Sequence, residues 1–521
     1  MASFADCRNA GQRTFRNMNT GIDQYYHSRA IIQRILEFIG VPSSLLSKLT
    51  IKSSAPLADS AKLKELLCSA TAEYVAAYGK KLMEILQKDH TSMKDADLGW
   101  ALDNALDIHR SVWDEKYILG TLDVEYFSKD FRAEAYLNYE RVFSLLEPVY
   151  IAITEVLATY GISPLVITTG QGYNFDVQVT KKSTVFKELV ELGHIETTLL
   201  QDYSQPSAQS GRPVPEADAR AFDAMGKLME FLCHKIFTHL SGSSLPIPLV
   251  IGDIVCGNEK REAVSLDLSL YTHPVQKRSI RCPFSTYAKH KLAGDIQGYI
   301  AAESIGCFFC VPRRTPDAEL SLADILDMRR SEKKAIRQAG RVSTSIPEQH
   351  KGFSNLLAEY KSSVLFDFHR EFDAVEQDDT YTWPQGYDSF DLESVPPCIA
   401  QAFRCPNPLL LQPTNLRAIV GVLMAIGWHP KHIAGMIYSK YMRDYGWEVD
   451  FGRYNANRWA NVWVRIYAGM ILCNIDGLLD INCTSQQEKG EAWMGMQYCP
   501  SPGCGFNLAD YRAALEKRID R

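Results

Sequence analysis

The chain has 521 residues, 46% of them hydrophobic, and a formal net charge of −6. That length leaves room for about three domains, and the apolar share is that of an ordinary globular protein. The acidic balance argues against a sequence-independent coat on nucleic acid, whose affinity rests on many phosphate contacts, while allowing a local basic channel. The opening residues, MASFADCRNAGQRTF, lack the apolar core of a signal peptide. No apolar run reaches the roughly 18 residues of a membrane span. The chain therefore reads as soluble and cytoplasmic, with no membrane partner.

Residues 1–110 read as helical. Residues 29–40 (RAIIQRILEFIG) carry apolar positions at helical spacing and stop at Gly40, with Pro42 beyond. Residues 61–88 continue the helical pattern, and 95–110 begin at a capping Asp95. The character then changes. Residues 117–127 alternate as a strand, and a helix follows from about 133 to Gly161. Residues 164–179 read as two strands joined by Gly170-Gln171-Gly172. Helices are predicted over 184–200 and 219–240, separated by a polar loop, with strands again from 245. Residues 321–340 form a charged amphipathic helix. Its cations Arg329, Arg330, Lys333, Lys334 and Arg337 read as a solvated face more readily than as a nucleic-acid contact, given the interleaved acids. Residues 367–393 are acidic and read as a linker. Residues 394–521 form a separate helical unit, with Pro430 tolerated in a first turn.

Two places carry chemistry. Asp123 and Glu125 sit two apart on a predicted strand, so both face one way while Leu122 and Val124 face the other. Two close carboxylates repel and raise a pKa unless a cation lies between them. Magnesium favours oxygen ligands of this kind. The competing reading is an exposed acidic strand face. The second place is residues 264–291. An alternating strand carries Asp267, and Lys277, Arg278, Arg281, Lys289, His290 and Lys291 follow around a Pro283-Phe284-Ser285 turn. The competing reading there is a solvated basic loop.

Taken in order, these stretches resemble the catalytic motifs of the archaeo-eukaryotic primase (primase-polymerase) superfamily. Leu122-Asp123-Val124-Glu125-Tyr126 resembles the first motif, an apolar strand with two acids two apart. Thr169-Gly170-Gln171-Gly172-Tyr173-Asn174 resembles the second, a glycine turn ending in His. Asp267 followed by Arg281-x-Pro283-x-Ser285-x-x-x-Lys289 resembles the third. The resemblance covers about residues 113–292. It implies that Asp123, Glu125 and Asp267 hold two magnesium or manganese ions for nucleotidyl transfer. It implies that Thr169, Gly170, Asn174, Arg278, Arg281, Ser285 and Lys289 meet the incoming nucleotide. Two positions depart: Asn174 stands where the family has His, and Gln171 where it has Arg. Asn donates a hydrogen bond but carries no charge, so nucleotide binding is either weaker or handled by Arg278, Arg281 and Lys289.

Thirteen cysteines without an export signal do not suggest a disulfide framework. Six of them, Cys398, Cys405, Cys473, Cys483, Cys499 and Cys504, follow residue 397. Cys499 and Cys504 flank Pro500, Pro502 and Gly503, a turn able to direct two sulfurs to one metal. Pro396-Pro397-Cys398 ahead of a helical bundle resembles the iron–sulfur domain of the primase large subunit. That implies Cys398, Cys483, Cys499 and Cys504 as ligands, with Cys473 the main rival and Cys405 a weaker one. Four thiolates suit a 4Fe–4S cluster or zinc. Cys307-x2-Cys310 reads as core. The domain's cations, Arg417, Lys431, Lys440, Arg443, Arg453, Arg458 and Arg465, and Trp428, Trp447, Trp459 and Trp463, would grip and stack on template, although most of these Trp read as core.

The expected fold is α+β. An N-terminal helical region (1–110) precedes a primase-type core with mixed or antiparallel sheets and flanking helices (111–300). A helical extension and acidic linker (301–393) and an all-α cysteine-rich metal domain (394–521) follow. The expected function is template-directed nucleotidyl transfer on single-stranded DNA with NTPs or dNTPs, alongside a helicase or other replication or defence proteins. The alternative is a non-catalytic nucleic-acid-binding or scaffold protein on the same fold. A metal-dependent nuclease uses the same acids but leaves the cysteines unexplained.

Overall fold

Alternating and β-branched stretches give the strands of the computed structural model, which describes residues 24–51, 55–77, 95–103, 105–131, 133–205, 212–252, 262–287, 305, 307–404, 408–443, 455–475, 478, 480–490 and 496–519. In chain order the strands are β1 (Ala72–Ala77), β2 (Asp107–Asp114), β3 (Tyr117–Ser128), β4 (Leu165–Thr168), β5 (Gly172–Thr180), β6 (Leu249–Ile251), β7 (Glu262–Asp267), β8 (Ser279–Arg281), β9 (Thr286–Tyr287), β10 (Phe308–Phe309) and β11 (Pro312–Arg314). With the helices between them they make an α+β fold. The chain divides into two units interleaved in sequence. The first is Met1–Glu191, Tyr203–Phe222 and Val275–Gly352, and the second is Leu192–Asp202, Asp223–Pro274 and Phe353–Arg521.

In the first unit β11, β4, β5 and β3 lie side by side in that order, each pair antiparallel. The β3–β5 register runs unbroken from Tyr117↔Thr180 to Glu125↔Gly172. The helix Tyr139–Thr159 buries Val142, Phe143, Leu146, Val149, Tyr150 and Ile153. Its Phe143 and Tyr150 rings lie 5.3 and 5.2 Å from the Tyr173 ring of β5. Apolar burial of this kind contributes roughly 1.5–3 kcal/mol per large side chain. By length and composition this helix could cross a membrane, unlike any run expected from the sequence, and half of its apolar window is buried inside the fold.

A three-stranded antiparallel sheet, β1-β2-β8, corrects the helical reading of residues 1–110. The helix Ala61–Leu67 ends early, and Ala72–Ala77 pairs with β2 from Ala72↔Asp114 to Ala77↔Asp107. Likewise the helix Asp95–Asp103 stops short, and Asp107–Asp114 is strand. A buried ion pair hid that strand. Arg110 donates to Asp114 at 2.8 Å and to the Phe38 carbonyl at 2.7 Å, so two charges occupy core positions. Tertiary pairing overrides local helix propensity in both places.

The second unit is mostly helical, with β6 and β7 as a parallel pair. The helix Ala456–Leu472 is buried on nearly every side and packs against Pro413–Ala425 and Pro430–Tyr441. Both partners begin with Pro at a first-turn position. Charges are buried here too. Arg458 pairs with Asp223, Arg465 with Glu230 at 3.1 Å, and Lys227 with Asp223 at 3.0 Å and Asp373 at 2.5 Å. His369 bridges Glu230 and the Tyr360 hydroxyl, at 3.2 and 2.7 Å. Burial alone would raise the Glu230 pKa, but His369 and Arg465 bring it down to about 2.

Candidate functional site

Period two on β3 sets the first site. Asp123 and Glu125 are half-buried on one face, while Leu122, Val124 and Tyr126 are buried on the other. Opposite them on β5 stand Asn174, across from Asp123, and Gly172, across from Glu125. The acid pair and the glycine turn are thus adjacent by strand register. Both glycines are dictated sterically. A Cβ on Gly172 would lie 1.7 Å from the Val124 carbonyl oxygen, and one on Gly170 would lie 2.1 Å from the Tyr287 ring. Thr169 N–H donates to the Gly172 carbonyl at 2.8 Å, and Tyr126 N–H to the Gln171 carbonyl at 2.9 Å. Gln171 itself accepts from the Tyr136 hydroxyl at 3.2 Å. Asn174 Oδ1 and Thr169 Oγ1 are buried without a hydrogen-bond partner. Orphaned polar atoms beside two carboxylates suit a site that takes a cation and a polar ligand.

Two residues that the sequence reading missed complete this face and its support. Asp176 lies two positions along β5 from Asn174, on the same face, opposite Thr121. It is 0% exposed. Its Oδ1 accepts from the Thr121 hydroxyl at 2.9 Å, and its Oδ2 has no partner. Burial raises its pKa to about 7, against smaller opposing effects of that hydrogen bond and of Arg110. Arg329 is also 0% exposed and lies behind the turn. It donates to the carbonyls of Thr169 and Gly170 at 3.1 and 2.9 Å. Its guanidinium sits 4.5 and 4.7 Å from the Phe143 and Phe308 rings, and burial lowers its pKa to about 10. A trans peptide points its N–H opposite to its C=O. Arg329 therefore orients the N–H groups of Gly170 and Gln171 away from itself, and neither donates to a protein acceptor among the described residues.

The basic turn does something other than expected. Arg281 is buried, donating to Asp107 at 2.6 Å and to the Thr286 carbonyl at 3.0 Å, with its guanidinium 4.4 Å from the Tyr287 ring. Ser285 is buried as well, its hydroxyl accepting from Ile108 N–H at 2.7 Å and donating to the Thr286 carbonyl at 3.0 Å. These two residues pin the turn to β2 rather than facing a nucleotide, because a buried guanidinium must be paired. Arg278 is half-buried, its carbonyl accepting from Val112 N–H at 2.9 Å. Lys289, His290 and Lys291 lie outside the described residues. Asp267 belongs to the second unit and ends β7. Its carboxylate accepts from Ser269 N–H at 2.7 Å and the Ser269 hydroxyl at 2.9 Å, an Asx turn.

In the second unit four thiols share one cavity. Cys398 is the second residue of the helix Pro397–Arg404. Cys483 opens Cys483–Glu488, capped by Asn482, which accepts from Ser485 N–H at 2.7 Å. Cys499 and Cys504 lie on a loop, where Gly503 and Gly505 take φ of +78° and +84° around Cys504. All four line a cavity of about 210 Å³ together with Pro396 and Phe506. Gln401 ties the loop down, donating to the Gln497 carbonyl at 3.0 Å. Leu508 N–H points at Cys483 Sγ, 3.5 Å away. Burial, then Cys499, Cys483 and Cys504 in turn, pushes the Cys398 thiol up to about 12.

The main rival ligand does not join this cavity. Cys473 follows the helix Ala456–Leu472 and is not among the cavity's lining residues. Cys405 lies outside the described residues. Cys310 is fully buried in the first unit, as a core thiol. Among the described residues no three His, Cys, Asp or Glu side chains form a single-ion site.

The described cations expected to grip template in this unit are paired or buried. Arg458 and Arg465 are in the buried network described above. Arg417 pairs with Asp480 at 3.1 Å, and Lys440 and Arg443 both pair with Asp388. Lys431 is buried, 4.7 Å from the Phe372 ring. Trp463 is buried, Trp459 donates to the Leu411 carbonyl at 2.9 Å, and Trp428 packs 5.1 Å from Phe390. Arg453 and Trp447 lie outside the described residues. No protein-family model, curated protein or solved structure matches the chain.

Proposed function

We propose that the chain is a metal-dependent nucleotidyltransferase acting on single-stranded nucleic acid, a primase-polymerase in kind. The observation that carries this is the β3–β5 register, with Asp123 beside Asn174 and Glu125 beside Gly172. Asp123 and Glu125 would hold magnesium or manganese, which would neutralise phosphate charge and ease loss of the attacking hydroxyl's proton. Asn174 and Thr169 would orient a phosphate oxygen by hydrogen bonds. The N–H groups of Gly170 and Gln171, set by Arg329, would supply positive potential that the uncharged Asn174 and Gln171 side chains do not. The reading rests on this strand pair, and Asp267 enters its test as a separate variant.

The four cysteines would hold a 4Fe–4S cluster. The cavity is lined by Gln486, Gln487 and Ser501 as well as the four thiols, and zinc is the alternative occupant for the same ligand set.

The test is synthesis from unprimed single-stranded DNA with magnesium or manganese, comparing wild type, Asp123→Asn/Glu125→Gln and Asp267→Asn. Product from wild type but not from the double variant supports the proposal. DNA binding without product in either points to the second reading, a non-catalytic nucleic-acid-binding protein. One observation favours that reading: Arg281, the cation expected at the nucleotide, is consumed by Asp107.

A further inference from the structure

We propose that the side-chain amide of Gln486 donates a hydrogen bond to a sulfur of the cluster held by Cys398, Cys483, Cys499 and Cys504, and so sets its reduction potential. This deepens the four-cysteine reading and rests on a 4Fe–4S cluster as the occupant.

Gln486 lies on the helix Cys483–Glu488, three residues after Cys483 and hence on the same face. Both residues line the thiol cavity. Gln486 is 2% exposed, and neither its Nε2 nor its Oε1 has a hydrogen-bond partner. A side-chain amide carries donors and an acceptor, and leaving them buried and unpaired costs their full desolvation. The backbone beneath it is fixed. Asn482 caps the helix, and the Ser485 hydroxyl donates to Asp480 at 3.1 Å, which also pairs with Arg417 at 3.1 Å. The amide is therefore held at the cavity wall by its neighbours rather than by polar contacts of its own.

The wall selects the partner. Its other polar side chains apart from the cysteines are Gln487 and Ser501, both exposed to water, and the rest of it is proline, glycine, Phe506 and Leu508. Gln486 is thus the one buried side-chain donor on it. Metal binding deprotonates the four thiols, and thiolate sulfurs are then the acceptors that the cavity presents. One donor to sulfur is already built in, since Leu508 N–H lies 3.5 Å from Cys483 Sγ. Reduction adds one electron to the cluster with no bond made or broken, and part of that charge falls on the sulfurs. An N–H donor stabilises the added charge, so it raises the potential, and its removal lowers it.

The test uses the full chain purified without oxygen. Iron and zinc are counted, and the cluster is titrated at a mediated electrode that supplies the electron, with visible absorbance as the readout. Gln486→Leu removes the amide. Gln486→Glu keeps its shape and replaces the donor by an acceptor. The control is Thr484→Val, on the exposed side of the same helix. With iron content unchanged, both Gln486 variants should be harder to reduce, by roughly tenfold in the equilibrium constant, or about 59 mV for one electron. The control should match wild type. Equal potentials in wild type and both Gln486 variants overturn the proposal and leave the cluster standing, with water as the partner of the amide. An equal shift in the control overturns it as well. So does loss of iron from both Gln486 variants, because the residue would then hold the cluster rather than tune it. Zinc without iron in the wild type removes the cluster reading and the proposal together.

Discussion

Replacing Asp176 by Asn should remove the pH dependence of stability that this carboxyl gives the β3–β5 pair. Asp176 is wholly buried, with its pKa raised by burial from 3.8 to about 7. The fold therefore favours the protonated acid. Between about pH 4 and pH 7 the native chain keeps a proton that the unfolded chain has released, so stability falls as pH rises through that window and is flat above it. Three units at 1.36 kcal/mol each make the loss roughly 4 kcal/mol. Asn has nearly the same shape and does not titrate. It should match wild type near pH 4 and exceed it by up to about 4 kcal/mol at about pH 8. A chain of two units is not expected to unfold in one step, so a local readout is needed. Hydrogen exchange over 117–128 and 172–180, corrected for intrinsic rate, reports this strand pair. If both proteins lose protection equally between about pH 5 and pH 8, the buried carboxyl does not govern it and the reasoning fails.

Other perturbations bear on the remaining claims. Gly172→Ala must part β3 from β5, since its Cβ would meet the Val124 carbonyl at 1.7 Å, whereas Gly161→Ala meets nothing within 4 Å. The first should cost about 3 kcal/mol or more and abolish product, and the second about 1 kcal/mol with product retained, read by thermal unfolding and synthesis. Arg458→Met removes one of the cations paired with Asp223, which keeps Lys227 at 3.0 Å, and should cost about 1.5–3 kcal/mol by thermal unfolding, with nucleic-acid affinity of the folded fraction unchanged. A selective loss of affinity would restore a template-gripping role for it. Cys499→Ser, purified without oxygen, should lose visible absorbance and iron, while Cys473→Ser keeps both. Arg329→Met releases the Thr169 and Gly170 carbonyls, and should raise KM for nucleotide at least 10-fold with single-strand binding intact. An unchanged KM would remove it as a positioning residue.

What was legible from the sequence was what period and spacing encode. Asp123 and Glu125 were found because period two fixes a shared face before any tertiary contact exists. Cys499 and Cys504 were legible because proline and glycine between two cysteines mark a turn, whereas Cys398 and Cys483 came only from the resemblance. Strands β1 and β2 were missed because their pairing is non-local and because Arg110 and Asp114 put opposite charges at core positions. Asp176 carried a usable signal, two residues past Asn174 on the same strand, but a third acid in an otherwise apolar strand gives no sign of its burial.

Cations are the general failure, and the reason is physical. A guanidinium has the same letter whether it is solvated, paired or caged, and only partners distant in sequence decide which. Arg281 looked available and is held by Asp107, 174 residues away. Arg458 and Arg465 looked like a surface and neutralise acids on another helix. Arg329, set within a charged helical run, is the one that bears on the glycine turn, and it acts through peptide carbonyls rather than by touching a ligand. The positive potential at the turn then comes from fixed backbone N–H dipoles with a buried charge behind them. Such a site pays no side-chain entropy to order its donors when an anion arrives. Under the proposed reading, the uncharged Asn174 and Gln171 leave the positive charge at the turn to Arg329 behind the backbone.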